Sequence, residues 1–273
     1  MFSRVLYWYV LTEKEIKQVS KPIVIAVTNQ KGGVGKTTTA VNVAYCLAKE
    51  GKKVLLVDFD PQGNATSGLG LDKSKLEKTV RDVVLNNVPL AAVVQPTECK
   101  NLWIVPATPE LANSEVELAS ADKRFSRLKL AIASADGYDF VLIDSPPSLS
   151  LLTVNGLIAA DYILLPVQAE FYAMEGLGQL LETMKLVRKG MNPTLELLGV
   201  LVTMMDSRTM LSKQVLSEIQ KHFPGKVFDT TIPRNVRIAE APSHGEPVGK
   251  YDKWSKGARA YKALTKEILT RVS

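Results

Sequence analysis

The sequence predicts an α/β domain built on a doubly wound, mainly parallel β-sheet flanked by helices. Three observations support this fold class. Apolar runs rich in β-branched residues alternate with helical patterns from Pro22 onward, and such continuous runs are typical of strands buried on both faces. Apolar residues make up 46% of the 273-residue chain, which is enough for a sizeable core. Polar, turn-forming residues follow the strands, as expected at the ligand-binding edge of such a sheet.

The predicted elements alternate along the chain. Strands are expected over 23–29, 53–59, 102–107, 140–145, 162–168, 197–204 and 227–233. Helices are expected over 36–50, 122–135, 175–189, 210–223 and 255–271. This order is typical of a parallel sheet with helices on both faces. Residues 1–20 are interpreted as an N-terminal extension, and residues 21–273 as one domain.

The net charge of +6 is concentrated in the last quarter of the chain. From Arg208 to Ser273 there are 13 basic and 6 acidic residues, so this segment carries +7 and the rest carries −1. A localised basic surface indicates a polyanionic partner, either nucleic acid or an anionic membrane surface. A solvated face without a partner is the alternative that composition leaves open.

Cysteine content and apolar run lengths exclude several classes of protein. Cys46 and Cys99 lack the spacing of a metal site and are interpreted as buried, reduced thiols of a cytosolic protein. The missing cysteine pattern argues against an iron–sulfur relative. The apolar run from Val5 to Leu11 is much shorter than the roughly 20 residues of a membrane span.

A glycine-rich turn follows the first predicted strand, with the sequence NQKGGVGKTTTAVNVA over residues 29–44. Its glycines allow backbone N–H groups to turn toward a phosphate, and the following helix adds its positive N-terminal end. Lys36 is placed to reach the β- and γ-phosphates, and the Thr37 hydroxyl to ligate Mg²⁺. Asp144 ends another strand, where a carboxylate can hold Mg²⁺ through water. The predicted phosphate-binding residues are Lys31, Gly32, Gly33, Val34, Gly35, Lys36, Thr37 and Thr38.

This turn departs from the common phosphate-binding loop at two positions. Gln30 stands where the common pattern has its first glycine, and Lys31 adds a second lysine inside the loop. KGGVGKTT resembles the deviant Walker A motif of the ParA/MinD family of P-loop ATPases. Three further strings resemble the chromosomal ParA (Soj) branch of that family: VLLVDFDPQGNATSGLG, YDFVLIDSPPSL and IPRNVRIAEAPSHGEP. The resemblance implies a P-loop NTPase fold and slow, partner-stimulated hydrolysis of ATP with Mg²⁺.

The family resemblance also implies residue roles. Lys31 would cross the interface of a homodimer formed in the ATP state and contact the partner's ATP. Lys31 and Lys36 would both neutralise charge during phosphoryl transfer. Asp60 would position the attacking water, with Asp58 supporting the loop. Pro233 and Asn235 would lie near the adenine.

We expect the biological function to be DNA segregation in the cytoplasm, on the nucleoid. The resemblance implies non-specific binding of double-stranded DNA by the ATP dimer and stimulation by a ParB-like activator. Family DNA-contact positions correspond to Arg208 and Arg237. The basic surface is extended by Lys250, Lys253, Lys256 and Arg259.

Two alternative functions remain open. A MinD-like membrane switch needs an amphipathic C-terminal helix, but the stripe of Tyr261, Leu264, Ile268 and Val272 is interpreted as the inner face of a sheet-covering helix. No stable membrane association is therefore expected. A ParA-like positioner of a cargo other than DNA would share every motif.

Overall fold

A computed structural model describes residues 21–170 and 177–273. Within these residues, seven strands form one sheet in the order β3-β4-β2-β5-β1-β6-β7. The strands are β1 (Ile23–Val27), β2 (Val54–Asp58), β3 (Gln95–Pro96), β4 (Leu102–Val105), β5 (Phe140–Asp144), β6 (Tyr162–Gln168) and β7 (Glu196–Thr203). All neighbouring strands pair in parallel except the short edge strand β3, which is antiparallel to β4. The predicted doubly wound, mainly parallel sheet is confirmed.

Eleven α-helices connect or cover these strands in the described part of the chain. They are α1 (Lys36–Lys49), α2 (Asn64–Gly68), α3 (Val80–Asn86), α4 (Ser114–Ala119), α5 (Arg127–Ile132), α6 (Leu151–Ala159), α7 (Leu177–Gly190), α8 (Met210–His222), α9 (Val236–Glu240), α10 (Val248–Tyr251) and α11 (Lys256–Val272). Local sequence starts several of them. Thr209 caps α8 by accepting a hydrogen bond from the Ser212 N–H, and Ser255 caps α11 by accepting from the Ala258 N–H.

The sheet separates two apolar layers. Alternate residues of β1 enter opposite layers, with Val24 and Ala26 on one face and Ile25 and Val27 on the other. This follows from the two-residue period of side chains along a strand. Helices α6, α7 and α8 cover the first face, and α1 and α11 pack together on the second.

The last helix places its apolar side in the core, as the sequence predicts. Tyr261, Leu264 and Ile268 are at most 1% exposed. Truncating a fully buried leucine or isoleucine to alanine costs about 2–5 kcal/mol. The apolar side of α11 therefore belongs to the fold and is not an exposed membrane-binding face. In the residues the structure describes, no helix combines the length and apolar character needed to cross a membrane.

The predicted strand over 227–233 is wrong. The segment touches β7 through isolated bridges, with the Phe228 and Ile232 N–H groups donating to Val200 and Val202. Between these contacts the N–H groups of Asp229 and Thr230 donate to the Glu267 carboxylate of α11. The Glu267 side chain thus accepts from backbone N–H groups that a continuous β-ladder with β7 would use.

Some helix predictions differ in extent. The helix expected over 122–135 forms only at Arg127–Ile132, because Lys123 adopts a left-handed backbone conformation with φ 54°. Helix α6 was not predicted, since its sequence LLTVNGLIA is apolar on nearly all sides and gives no helical period. The predicted N-terminal extension, residues 1–20, and the start of the helix expected over 175–189 lie outside the described residues.

Candidate nucleotide-binding site

The strand order brings the ends of three central strands together. In the register of the sheet, Val27 of β1 and Asp58 of β2 both stand opposite Asp144 of β5. The glycine-rich turn leaves β1 at this edge and enters α1. Carboxyl ends of parallel strands are where ligands bind in open α/β sheets. The fold therefore places the predicted phosphate loop directly beside two aspartates.

The backbone of the loop has the curvature that binds anions. Gly33 and Gly35 have φ of 72° and 87°, values at which any other residue would be strained. Gly35 is also the residue that immediately precedes α1, so the loop delivers the N-terminus of a 14-residue helix to the site. The loop is fixed from β7, because the Thr203 hydroxyl donates to the Val34 carbonyl over 2.8 Å.

Lys36 lies folded across this loop. Its ammonium donates to the Lys31 carbonyl over 2.9 Å, and the residue is only 6% exposed. Burial lowers the pKa of Lys36, while Asp144 and Asp60 act in the opposite direction. The ammonium is thus held in a partly desolvated position, where an anion beside it would be bound strongly.

Asp144 is the least satisfied charged group of the site. It is fully buried, and neither carboxylate oxygen has a hydrogen-bond partner among the described residues. Burial and the neighbouring Asp58 raise the pKa of Asp144 well above its usual range, against the effects of Thr37 and Lys36. A buried carboxylate without a partner is costly unless a cation meets it. Asp144 and the nearby Thr37 hydroxyl fit Mg²⁺, which takes oxygen ligands and is commonly held by one or two carboxylates together with phosphates.

Asp58 and Asp60 have different environments. Asp58 accepts hydrogen bonds from the Thr66 N–H and hydroxyl over 2.7 and 2.6 Å, and burial raises its pKa to about 6. Asp60 is 5% exposed, accepts from the Gln62 N–H over 2.9 Å and lines the cleft above the phosphate loop. Asp58 therefore ties the loop after β2 to α2, whereas Asp60 borders the space that a ligand would occupy.

The cleft has a volume of about 610 Å³. Seven of the predicted residues line it: Gly32, Gly33, Gly35, Lys36, Thr37, Thr38 and Asp60. Lining residues that sequence reasoning did not assign include Asn42, Met204, Pro242, Ser243 and Glu246. The segment APSHGEP ends one of the strings that resemble the family. Its turn-rich composition does not indicate that it folds back over α1.

Pro233 and Asn235 are not among the residues that line the cleft. Pro233 forms a bridge with Met205, the residue after the cleft-lining Met204. The Asn235 side-chain oxygen is buried and has no hydrogen-bond partner in the described chain. Their assignment to the adenine remains a prediction.

Comparisons with known proteins agree with this geometry. Residues 23–197 match the AAA domain family. The chain is 53% identical over 246 residues to sporulation initiation inhibitor protein Soj from Bacillus subtilis, covering 90% of this chain and 97% of that protein. It is 52% identical over 248 residues to chromosome-partitioning ATPase Soj from Thermus thermophilus, covering 91% and 96%. The chain belongs to the ParA/MinD family of P-loop ATPases.

A similar solved structure contains a nucleotide and magnesium. The chain is similar to cobyrinic acid a,c-diamide synthase from Mycobacterium smegmatis with bound ADP and magnesium, with a TM-score of 0.81 and 40% identity. The match covers 92% of this chain and 95% of that chain. This ParA/MinD-family protein is an ATPase with ATP and Mg²⁺ as cofactors, which confirms the predicted activity and cofactors.

The additional lysine of this ParA/MinD-family loop lies away from its own cleft. The Lys31 ammonium is 3.6 Å from the Glu170 carboxylate, and Arg234 reaches the same carboxylate at 3.8 Å. Lys31 is therefore not among the residues lining the cleft, although its carbonyl accepts from Lys36. The Lys31–Glu170 pair, between residues 139 positions apart, could not be read from the sequence.

The predicted DNA-binding cations are exposed, but three of them are already paired. Arg208 makes two hydrogen bonds to Asp206, over 2.9 and 2.8 Å, and lowers the pKa of that carboxyl to about 2. Arg237 contacts Glu240 and Asp252 at 2.9 and 3.5 Å. Lys250 contacts Glu98 and Glu246, which raise its pKa. The basic surface is thus less positive than the residue count alone suggested.

Lys253, Lys256 and Arg259 lie in or just before the first turn of α11 and are exposed. Cys46 and Cys99 are both free and buried, as predicted. Their position in the α1 layer places them in the core rather than in the cleft.

Proposed function

We propose that this protein is a DNA-partitioning ATPase whose ATP-bound dimer binds double-stranded DNA without sequence preference. A ParB-like protein stimulates hydrolysis and releases the dimer, and the protein acts in the cytoplasm on the nucleoid. The observation that carries the proposal is that the two loop lysines point in different directions. Lys36 is folded into the protein's own cleft, whereas Lys31 points away from it toward Glu170.

The nucleotide would occupy the 610 Å³ cleft with its phosphates on the loop. The N–H groups of the turn and of α1 would bind phosphate oxygens, with Lys36 at the β- and γ-phosphates. Thr37 and Asp144 would hold Mg²⁺, which supplies charge neutralisation of the phosphates during transfer. The buried carboxylate of Asp144, which has no hydrogen-bond partner within residues 21–170 and 177–273, supports this assignment.

Asp60 would orient the water that attacks the γ-phosphate. It borders the cleft and is close enough to affect the pKa of both Lys36 and Asp144. One oxygen of Asp58 accepts two hydrogen bonds from Thr66 and the other accepts from the Asp60 N–H over 3.4 Å. Asp60, which borders the cleft, is therefore the aspartate better placed to act on a ligand.

Lys31 would leave Glu170 when a second copy of the chain brings its ATP to the cleft mouth. An exposed ion pair contributes roughly 0–1 kcal/mol, and the Lys31 and Glu170 side chains are 38% and 47% exposed. A triphosphate is a stronger partner for an ammonium than one solvated carboxylate, because it carries several negative charges. Exchange of Lys31 from Glu170 to the partner's phosphates therefore couples ATP to dimer formation.

The DNA surface would combine Arg208 and Arg237 with Lys250, Lys253 and Lys256. A dimer presents two such surfaces on one rigid body, which raises the effective concentration of the second contact once the first is made. The names of the Soj relatives, which include a chromosome-partitioning ATPase, support DNA segregation over transport of another cargo.

The proposal is tested by DNA binding of the wild-type chain across a salt series, with a non-hydrolysable ATP analogue or with ADP. The chain should bind DNA in the analogue state, with equal affinity for unrelated sequences. The logarithm of the binding constant should fall with the logarithm of the salt concentration, with a slope of about −0.9 per neutralised phosphate. Anionic vesicles form the second arm. Vesicle binding without DNA binding would overturn the proposal in favour of a membrane switch, and binding to neither would indicate another cargo.

A further inference from the structure

An exposed tryptophan stands next to the basic surface, just before the start of α11. Trp254 is 77% exposed, and Val236 at the start of α9 is 69% exposed. Isolated exposed apolar residues are common, but a solvent-exposed indole among cations has a specific chemistry. We name the set Val236, Arg237, Lys253, Trp254 and Lys256 the Trp254 patch.

The backbone of the Trp254 patch is held in place by one carboxylate. Asp252 accepts a hydrogen bond from the Trp254 N–H over 3.0 Å, and its other oxygen lies 3.5 Å from Arg237 Nε. Asp252 therefore joins the turn before α11 to α9. A Cβ at Gly257 would lie 2.5 Å from the Ile238 side chain, so α9 and the first turn of α11 are packed without space between them. The exposed groups are thus presented on a fixed support.

A cation lies beside the indole, and further cations follow it along the chain. The Lys253 ammonium lies 5.2 Å from the centre of the Trp254 ring, within the range of a cation–π contact. Lys256 and Arg259 follow on the first turn of α11 and are exposed. An anionic partner would meet cations and an apolar ring in the same small area.

The chemistry of the patch fits double-stranded DNA better than a lipid surface. A membrane-binding helix presents a continuous apolar side, whereas Tyr261, Leu264 and Ile268 of α11 are buried in the core. DNA offers phosphates for ammonium groups and, between the two backbones, sugars and base edges for an apolar side chain. Proteins that bind the minor groove use such apolar contacts together with lysine and arginine.

We propose that Trp254 is a DNA-contact residue that packs its indole against the sugar and base surface while Lys253 and Lys256 bind flanking phosphates. This inference rests on the proposed function, because it assigns a further residue to the same DNA-binding state. It adds an uncharged contact to a surface that sequence reasoning described by charge alone.

The test compares Trp254→Ala, Trp254→Phe and Lys256→Gln for binding to a random-sequence duplex in a salt series, with the ATP analogue and Mg²⁺. Trp254→Ala should weaken binding about tenfold, because the apolar surface that the indole buries against sugars and base edges is lost, without changing the salt slope. Trp254→Phe should retain most of the affinity. Lys256→Gln should make the slope shallower by about 0.9. Trp103→Phe is the matched control, since Trp103 packs edge-on against Tyr138 in the body of the protein.

A spectroscopic measurement gives an independent reading. In the Trp8→Phe, Trp103→Phe variant the remaining indole is Trp254, and its emission should change on adding DNA in the analogue state and remain constant with ADP.

Three results would overturn the inference while leaving the proposed function intact. They are unchanged affinity of Trp254→Ala for the duplex, a change in its salt slope like that of Lys256→Gln, and indole emission that does not respond to DNA in the analogue state. Failure of the wild-type chain to bind DNA would instead defeat the proposed function.

Discussion

The nucleotide site and the basic surface differ in how their charges are satisfied. At the site, Asp144 is buried without a hydrogen-bond partner in the described chain, and Lys36 is held in a desolvated position. On the basic surface, Arg208, Arg237 and Lys250 are exposed and already paired with carboxylates. A charge that is buried and unpaired gains strongly from a ligand, whereas an exposed paired charge only exchanges one partner for another.

This difference predicts tight, geometry-dependent binding of nucleotide and weak, salt-sensitive binding of DNA. Substitutions in the site should therefore have large effects, and single substitutions on the surface small ones. Lys31 shares features of both regions, since it is half-exposed and ion-paired yet belongs to the phosphate loop. Its substitution should nevertheless have a large effect, because the proposed dimer depends on its contact with the partner's phosphates.

The largest effect is expected for Lys31→Ala. Activator-stimulated turnover should fall by about 10³-fold, the lower range for losing a charge-neutralising finger in phosphoryl transfer. Binding of a fluorescent ATP analogue should change little, because Lys31 does not line its own cleft. Gel filtration with the non-hydrolysable analogue should show a monomer. Glu170→Gln is the opposing variant and should form the dimer at lower analogue concentration, since Lys31 is released.

Asp60→Asn should have the next largest effect on turnover. Loss of the carboxylate that orients water is expected to lower turnover by about 10²-fold, with ATP binding and the dimer retained. Asp58→Asn is the matched comparison, and it should lower thermal stability because Asp58 accepts two hydrogen bonds from Thr66. Turnover of Asp60→Asn equal to wild type would move the role to another residue.

Asp144→Asn should stabilise the nucleotide-free protein most at alkaline pH, where the buried Asp144 carboxyl is ionised despite its raised pKa. Removing an unpaired buried charge is worth about 1–3 kcal/mol, measured by urea unfolding. The pKa of Asp144 is raised in the folded state, so the stability that its protonation provides is present at low pH and lost as pH rises through that pKa. The advantage of the variant should therefore shrink as pH falls. With Mg²⁺ and ATP the order should reverse, because the wild-type carboxylate then has a cation; an unchanged order would place the metal elsewhere.

The smallest effects are expected for the Asp206–Arg208 pair. Arg208→Gln should weaken DNA binding a few-fold, and Asp206→Asn should strengthen it, because the guanidinium is then free for phosphate. Both variants should shift the salt slope by less than about 0.9, since the Arg208 guanidinium is only partly available to DNA phosphates while it is paired with Asp206. If Asp206→Asn weakened binding instead, the pair would be a support for the loop after β7.

The sequence predicts the parts of the site that follow from local motifs or from the positions of strand ends. The phosphate loop, Thr37 and the strand-ending Asp144 follow from local pattern and from the rule that strand ends share an edge. The strand at 227–233 was wrong because Glu267 takes two of its N–H groups, and Glu267 is distant in the sequence. Glu170 beside Lys31 and the 241–246 segment over the cleft depend on the same kind of long-range packing.

The ion pairs of the basic surface are also difficult to predict from the sequence. The family resemblance points to Arg208 and Arg237, and the basic composition points to Lys250, but neither indicates the carboxylates that each of them meets in the fold. Asp206 is two residues from Arg208 and could have been suspected. Glu98 is 152 residues from Lys250, so no local pattern could have indicated that pair.

The proposed coupling between the nucleotide site and the basic surface is tested by DNA binding of wild type and Lys31→Ala in the analogue state. Both proteins should be saturated with analogue and Mg²⁺, and binding to a random-sequence duplex measured at low salt. The wild-type chain should bind DNA, and Lys31→Ala should bind no better than the wild-type chain with ADP, although Lys31 is outside the proposed DNA surface. Equal DNA binding by both proteins would show that the basic surface binds DNA without the Lys31-dependent dimer, and the two regions would then not be coupled through Lys31.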